Sequence, residues 1–254
     1  REIALTSNGL LLTAERAMRL RQAGLDRLTL SLDGTTAASV AQMAGLADEA
    51  AGAKALAQVL RALEHAQQAG FDPARGELKL NAVIQRGRND DQVLPLAQLC
   101  RERGLELRLI EYMDVGSRNG WRQADVVSAA EMVRSIGQRW PLQPLGRAGH
   151  STASRWRYSD GAGSVGMVAS VSQPFCGDCN RLRITADGIA YTCLFAAPGS
   201  GLDLKPALQA GGDPSELAQT LSQLWQQRND RYSEERQHAP GSGAHHAEMA
   251  YLGG

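Results

Sequence analysis

The feature that most constrains this chain is an alternation, running from its first residues to about Asp114, of short apolar strands with longer amphipathic stretches. That alternation is the pattern of successive βα units, whose helical crossovers bring consecutive strands into one parallel sheet. The strands read Ile3 to Ser7, Arg27 to Leu32, Leu78 to Ile84 and Leu105 to Tyr112. Between them lie segments rich in Ala, Leu, Gln, Arg and Glu. Thr13 is placed to cap a first helix that ends at Ala23-Gly24, and Lys54 to Gly70 repeats the design, with the alanine-rich Ala47 to Ala57 as a helix start. Cys100 ends a helical apolar pattern and reads as a small buried hydrophobe.

Parity within these strands separates two kinds of face. Thr29, Ser31 and Asp33 alternate with Leu28, Leu30 and Leu32, while Lys79 and Asn81 alternate with Leu78, Leu80 and Ala82. Polar residues sharing one face of a parallel strand must meet water or line a site. In a closed or partly closed barrel they point inward and build a pocket at the carboxyl ends of the strands. A charge such as Lys79 inside a barrel needs an anionic partner.

After Trp121 the texture changes. Ala129 to Trp140 reads as one more helix, then Pro141, Pro144 and the glycines through Gly166 interrupt regular structure. Trp156, Tyr158, Val165, Met167 and Val171 fall among turn residues as in hairpins. Arg183 to Thr192 is a clear hairpin with Asp187-Gly188 at its turn. The expected division is therefore a βα region over 1–144 and a smaller β-rich region over 145–254. The latter carries a last helix, Ser215 to Arg228, and a Gly-, Ser- and His-rich tail.

Composition narrows the function classes. With 27 basic and 27 acidic residues among 254, the chain has no net charge and lacks the broad basic surface of a nucleic-acid binder, so an anion site must be local. No apolar run approaches the roughly 20 residues that span a bilayer, so no membrane partner is expected. Four cysteines are too few for a disulfide scaffold, and three of them crowd together. Cys176-Gly177-Asp178-Cys179 is a C-x2-C knuckle, and the hairpin turn folds Cys193 back beside it. Three converging thiolates point to a metal. A structural zinc site needs a fourth ligand, for which His150, His245 or His246 is available. An iron-sulfur cluster held by three cysteines keeps one iron open. Spacing leaves both readings standing. Arg181 and Arg183 follow the knuckle immediately, and arginine forks suit phosphate oxygens.

The residues resemble a known family. Pro174-Phe175-Cys176-Gly177-Asp178-Cys179-Asn180-Arg181-Leu182-Arg183, then Thr185-Ala186-Asp187-Gly188 and Cys193-Leu194-Phe195, look like the C-terminal cluster motif of the GTP 3',8-cyclases of molybdenum cofactor biosynthesis. Thr6-Ser7-Asn8-Gly9, Ser31-Leu32-Asp33, Lys79 to Ile84, Arg88-Asn89-Asp90, Glu111 to Gly116 and Gly253-Gly254 follow in the order of that family's landmarks. The resemblance implies an α/β fold, an incomplete TIM-type βα barrel of the radical S-adenosylmethionine (SAM) type with a C-terminal β-rich cluster-binding region. It implies a lyase that converts GTP to (8S)-3',8-cyclo-7,8-dihydroguanosine 5'-triphosphate with two 4Fe-4S clusters and S-adenosylmethionine.

In such enzymes the N-terminal cluster generates a 5'-deoxyadenosyl radical that takes hydrogen from the ribose, and the open iron of the C-terminal cluster holds the guanine. By match of motif, Cys176, Cys179 and Cys193 would ligate the second cluster. Thr6, Lys79, Arg181, Leu182 and Arg183 would bind GTP, and Ser31 and Met113 would contact S-adenosylmethionine. Lys79 would thereby gain its anion. A homodimer, a cytoplasmic location and transfer of the product to the next enzyme of molybdenum cofactor synthesis are further expectations. One departure stands out: the family's C-x3-C-x2-C motif does not occur. The chain opens at Arg1 with a strand already under way, so it is expected to be N-terminally truncated and inactive alone. The alternative is a noncatalytic zinc-binding interaction module.

Overall fold

Leucines at every second position decide how the first strands assemble. The computed structural model describes residues 2–116, 119–209, 213–236 and 246–252. In it β1 (Ala4–Ser7), β2 (Arg27–Ser31), β3 (Leu78–Ile84) and β4 (Glu106–Glu111) run parallel and in that order. Leu28, Leu30, Leu78, Leu80, Leu107 and Leu109 are fully buried on one face. Against that face pack Val59, Ala62, Leu63 and Ala66 of α3 (Glu49–Gln68) and Leu96 and Ala97 of α4 (Val93–Glu102), together with Met132 and Ile136 from a helix described below.

The helix ends follow their capping chemistry. Thr13 caps α1 (Ala14–Gln22) by accepting from Arg16 N at 3.2 Å, as its position implied. One helix, α2 (Ala37–Ala44), lies between the expected elements. A capping box between Thr36 and Ser39 starts it and Gly45, at φ 61°, stops it. Gly52 lets α2 and α3 approach closely, because a Cβ there would fall 2.1 Å from the Ala37 carbonyl oxygen.

Beyond β4 the sheet continues through the hairpin expected around Trp156 to Met167, while Pro144, expected to interrupt regular structure, lies within a strand. After α5 (Ala129–Arg139) come β5 (Leu142–Gly146), β6 (Ser154–Tyr158) and β7 (Ser164–Val168). The strand order is β1-β2-β3-β4-β7-β6-β5, with β7 parallel to β4, and β6 and β5 antiparallel. Pro144 is tolerated in β5 because that strand is an edge, and its register shifts between Pro144 and Gly146. The sheet stays open between its edges β1 and β5, as an incomplete barrel does.

Because β5 to β7 join the parallel strands, the compact units do not part at 144/145. One comprises Arg1–Tyr112 with Gln123–Ser172, the other Met113–Arg122 with Gln173–Gly254. The second holds a small antiparallel sheet of β8 (Arg183–Ile184), β9 (Ile189–Tyr191) and β10 (Leu202–Asp203), then α6 (Lys205–Gln209), α7 (Pro214–Gln226) and α8 (Tyr232–Glu235). Gly188, at φ 83°, makes the β8–β9 turn. Asp114 receives Arg236 Nη2 and Tyr232 Oη, each at 2.6 Å, and Phe195 stacks on Tyr232 at 4.7 Å. No helix among the described residues is long and apolar enough to cross a membrane. His245 and Gly253-Gly254 lie outside the described residues.

Glu111 shows how the first unit is tied together. Its carboxylate is fully buried and accepts from Ala129 N at 2.7 Å, from Val171 N and Ser172 N at 2.8 Å each, and from the Ser172 hydroxyl. It thus joins β4 to the start of α5 and to the segment leaving β7. Glu111→Gln puts an amide N–H where only donors point. We expect a loss of roughly 1 to 3 kcal/mol for each backbone amide left unpaired, measured by urea denaturation; an unchanged midpoint would contradict this account of the carboxylate.

Candidate functional site

Register across the sheet turns the polar parity into two rows of side chains. Thr6 stands opposite Thr29, Thr29 opposite Lys79, and Lys79 opposite Glu106. One step on, Ser31 stands opposite Asn81, Asn81 opposite Arg108, Arg108 opposite Gly166, and Gly166 opposite Arg155. Thr6 and Lys79 thus share a row and Ser31 lies in the next, while Met113 and the cysteine motif belong to the second unit.

The anion that Lys79 requires is part of the fold. Lys79 Nζ lies 3.2 Å from Glu106 Oε1, with the two side chains 10% and 5% exposed. The anionic partner expected for Lys79 is therefore present in the chain itself. Glu106 also takes Arg108 Nε at 2.9 Å and Arg155 Nη2 at 2.8 Å. Burial opposes the charge on Glu106, yet Lys79, Arg108 and Arg155 outweigh it and hold the carboxyl below its ordinary range. Burial, followed by the neighbouring Arg108, pulls the Lys79 ammonium below the ordinary lysine range despite Glu106.

Three cations therefore share one carboxylate. Asn81 Oδ1 and Arg155 Nε are buried with no hydrogen-bond partner among the described residues. Arg108, Arg155 and Glu106 were not singled out from sequence. The alternation Leu105-Glu106-Leu107-Arg108-Leu109 does carry the signal for two of them. Arg155 could not be found that way, because its register across β7 is set by the fold.

Two of the family-like landmarks lock each other at the end of β2 and β3. Asn89 Nδ2 donates to the carbonyls of Asp33 and Val83, at 2.8 Å each, and Asp33 accepts from Val83 N at 2.7 Å. Burial pushes the Asp33 carboxyl up while the Val83 amide draws it down. Asn89 is fully buried, so its first task is to hold these strand ends together.

In the second unit Cys176–Asp178 forms a single 3-10 turn, with Cys179 N donating to Cys176 O at 3.1 Å. Cys176, Cys179 and Cys193 are free and half-buried, and Cys193 Sγ accepts from Phe195 N at 3.4 Å. Burial pushes the Cys193 thiol up, partly offset by the Phe195 amide. Burial likewise pulls the Arg183 guanidinium down, while the thiols of Cys179 and Cys193 favour its charge. Arg181 lies over Phe175, 5.1 Å from the ring centroid, and its Nη1 is buried without a partner. Leu182 is half-buried between the two arginines.

This donor set is one that a polynuclear iron-sulfur group accepts and that structural zinc accepts as well. It consists of thiols, the ligands such clusters take. A single ion needs its donors gathered closely, and no group of three or more His, Cys, Asp or Glu among the described residues is so arranged. His246, a candidate fourth ligand, has its Nδ1 on the Phe195 carbonyl at 2.8 Å and its ring against Tyr232. His150 belongs to the first unit.

The arrangement on Glu106 has a direct test. Glu106→Gln removes the one anion from three cations and should cost about 3 to 5 kcal/mol, read from urea denaturation. The wild-type contribution of Glu106 is complete above its unfolded value of about pH 4.3 and is lost as pH falls through its lower folded value. The variant should therefore lack that part of the acid dependence. Equal stability and equal acid profiles would overturn the assignment.

Comparison with known proteins gives a consistent picture. The Radical SAM superfamily matches residues 1–100, and the Molybdenum Cofactor Synthesis C family matches residues 105–234. The chain is 60% identical over 255 residues to a GTP 3',8-cyclase of Synechococcus sp. strain CC9902, covering all of this chain and 73% of that protein. It is 50% identical over 254 residues to one of Xanthomonas axonopodis pv. citri strain 306, covering 100% of this chain and 71% of that protein. Among solved structures, native anSMEcpe with bound AdoMet and Kp18Cys peptide superposes with a TM-score of 0.51 at 14% identity, over 80% of this chain and 54% of that one. At that identity the likeness is one of fold.

Proposed function

The chain belongs to the GTP 3',8-cyclase family of radical SAM enzymes, and from that premise we propose how its residues serve GTP conversion, the first step of molybdenum cofactor biosynthesis. Cys176, Cys179 and Cys193 hold a 4Fe-4S cluster. When bound, that cluster supplies an iron without a protein ligand, able to take a base nitrogen or oxygen of guanine. Arg181, Leu182 and Arg183 bind the nucleotide, the two guanidinium forks serving phosphate or base oxygens.

On the barrel strands Thr6 and Lys79 also contact GTP, while Ser31 and Met113 contact S-adenosylmethionine. Lys79 serves this role while anchored on Glu106, and the surplus of positive charge it shares with Arg108 and Arg155 favours a polyanion. Fixed cations of this kind orient a triphosphate without reorganising when it arrives. Homodimer formation and hand-over of the product to the next enzyme of the pathway belong to the same reading and rest on family likeness.

The observation that carries the reading is the environment of Arg183. It is a half-buried guanidinium in the motif that carries the free thiols, donating from Nη1 to the Arg181 carbonyl at 3.2 Å beside an Arg181 side-chain nitrogen left unpaired.

Anaerobic reconstitution tests the metal. A broad brown absorbance with roughly four irons per chain supports the reading, and any of the three Cys→Ser replacements should abolish that uptake. Stoichiometric zinc without iron would overturn it. For the nucleotide, Arg181→Ala and Arg183→Ala should each weaken GTP binding by roughly 1.5 to 3 kcal/mol, measured by calorimetry. Unchanged affinity in both would return them to solvated surface residues.

A further inference from the structure

Beyond the cysteine motif, the turn after α7 grips the same cysteines from outside. Arg228 Nη1 donates to the carbonyl of Cys179 at 3.1 Å, and Nη2 reaches the carbonyl of Cys176 at 3.5 Å and that of Asp230 at 3.1 Å. The guanidinium is 13% exposed, and its Nε lies 3.7 Å from Asp230 Oδ2, a charge pair without a hydrogen bond. That same Asp230 oxygen accepts from the hydroxyl of Thr192, the residue before Cys193. Glu234 Oε1 adds a bond from the amide of Gly177, inside the knuckle, at 3.2 Å. Arg228 and Asp230 thus connect both arms of the cysteine set, the knuckle on one side and the hairpin end on the other.

We infer that Arg228, with Asp230, is a positioning residue for Cys176, Cys179 and Cys193, fixing the spacing of their thiolates and setting a positive charge beside them; this rests on the cluster reading above. The chemistry is that of an outer shell. Partners of metal ligands orient them, and their loss typically lowers metal affinity by about 10- to 100-fold. Nearby charge and hydrogen bonding also set the potential of an iron-sulfur centre. A fork is required because two carbonyls three residues apart must be held by one group, which a lysine ammonium on a flexible stem does less well.

The test uses the whole chain after anaerobic iron-sulfur reconstitution, reading iron release to a chelator and the cluster midpoint potential. Arg228→Gln should release iron about 10- to 100-fold faster and shift the potential to lower values. Arg228→Lys should restore most of the potential but not the retention. Wild-type release and potential in Arg228→Gln would overturn the inference while leaving the cluster reading intact. If Arg228→Gln loses cooperative melting, Thr192→Val decides, since it removes only the hydroxyl on Asp230: faster release supports the clamp and unchanged release refutes it. A wild-type chain that takes up no iron overturns the cluster reading itself, and the clamp with it.

Discussion

A single buried carboxylate, Glu106, determines what the polar face of the sheet can carry. Lys79 and Arg108 come from adjacent parallel strands and Arg155 from the antiparallel hairpin beyond them, and all three converge on it. Without an anion at that position, the buried Lys79 ammonium would be forced out or neutralised. With three cations on this one carboxylate, the cluster keeps a surplus of positive charge. That surplus is built in by strand register before any ligand arrives, and register is held in turn by the leucine layer on the opposite face.

The same economy of buried polar groups recurs at the strand ends. Glu111 gathers backbone amides from α5 and from the segment after β7, and Asn89 bridges the carbonyls of Asp33 and Val83. Each satisfies groups that would otherwise lie buried and unpaired. Two landmarks that read as family signatures, Ser31-Leu32-Asp33 and Arg88-Asn89-Asp90, therefore have a structural task in this chain whatever ligand they meet. In the second unit Arg228 and Asp230 do for the cysteine loops what Glu106 does for the strands: one charged group fixes several segments at once.

Much of this was legible in the sequence, and the failures have physical causes. The β3 limits, Leu78 and Ile84, follow from alternation alone, as does the need of Lys79 for an anion. The identity of that anion did not follow, since Glu106 faces Lys79 only through a pairing register set by the sheet as a whole. Pro144 argued against a strand, yet an edge position removes the objection. The short helix α2 shows no clear apolar periodicity, since four of its eight residues are alanine, although Thr36, Ser39 and Gly45 mark its ends. The C-x2-C knuckle was plain from spacing. Arg228, some fifty residues further along the chain, carries no local pattern that ties it to cysteines.

The central claim is that the cysteine loop and its arginines form one nucleotide site, completed by iron. It is tested most directly by comparing GTP affinity in the iron-loaded and iron-free chain, with GMP and ATP as controls. The account predicts that loading tightens GTP and GMP but not ATP, because only guanine gains the open iron, and that GTP exceeds GMP in both states through the cationic residues. Equal GTP affinity with and without iron would contradict it.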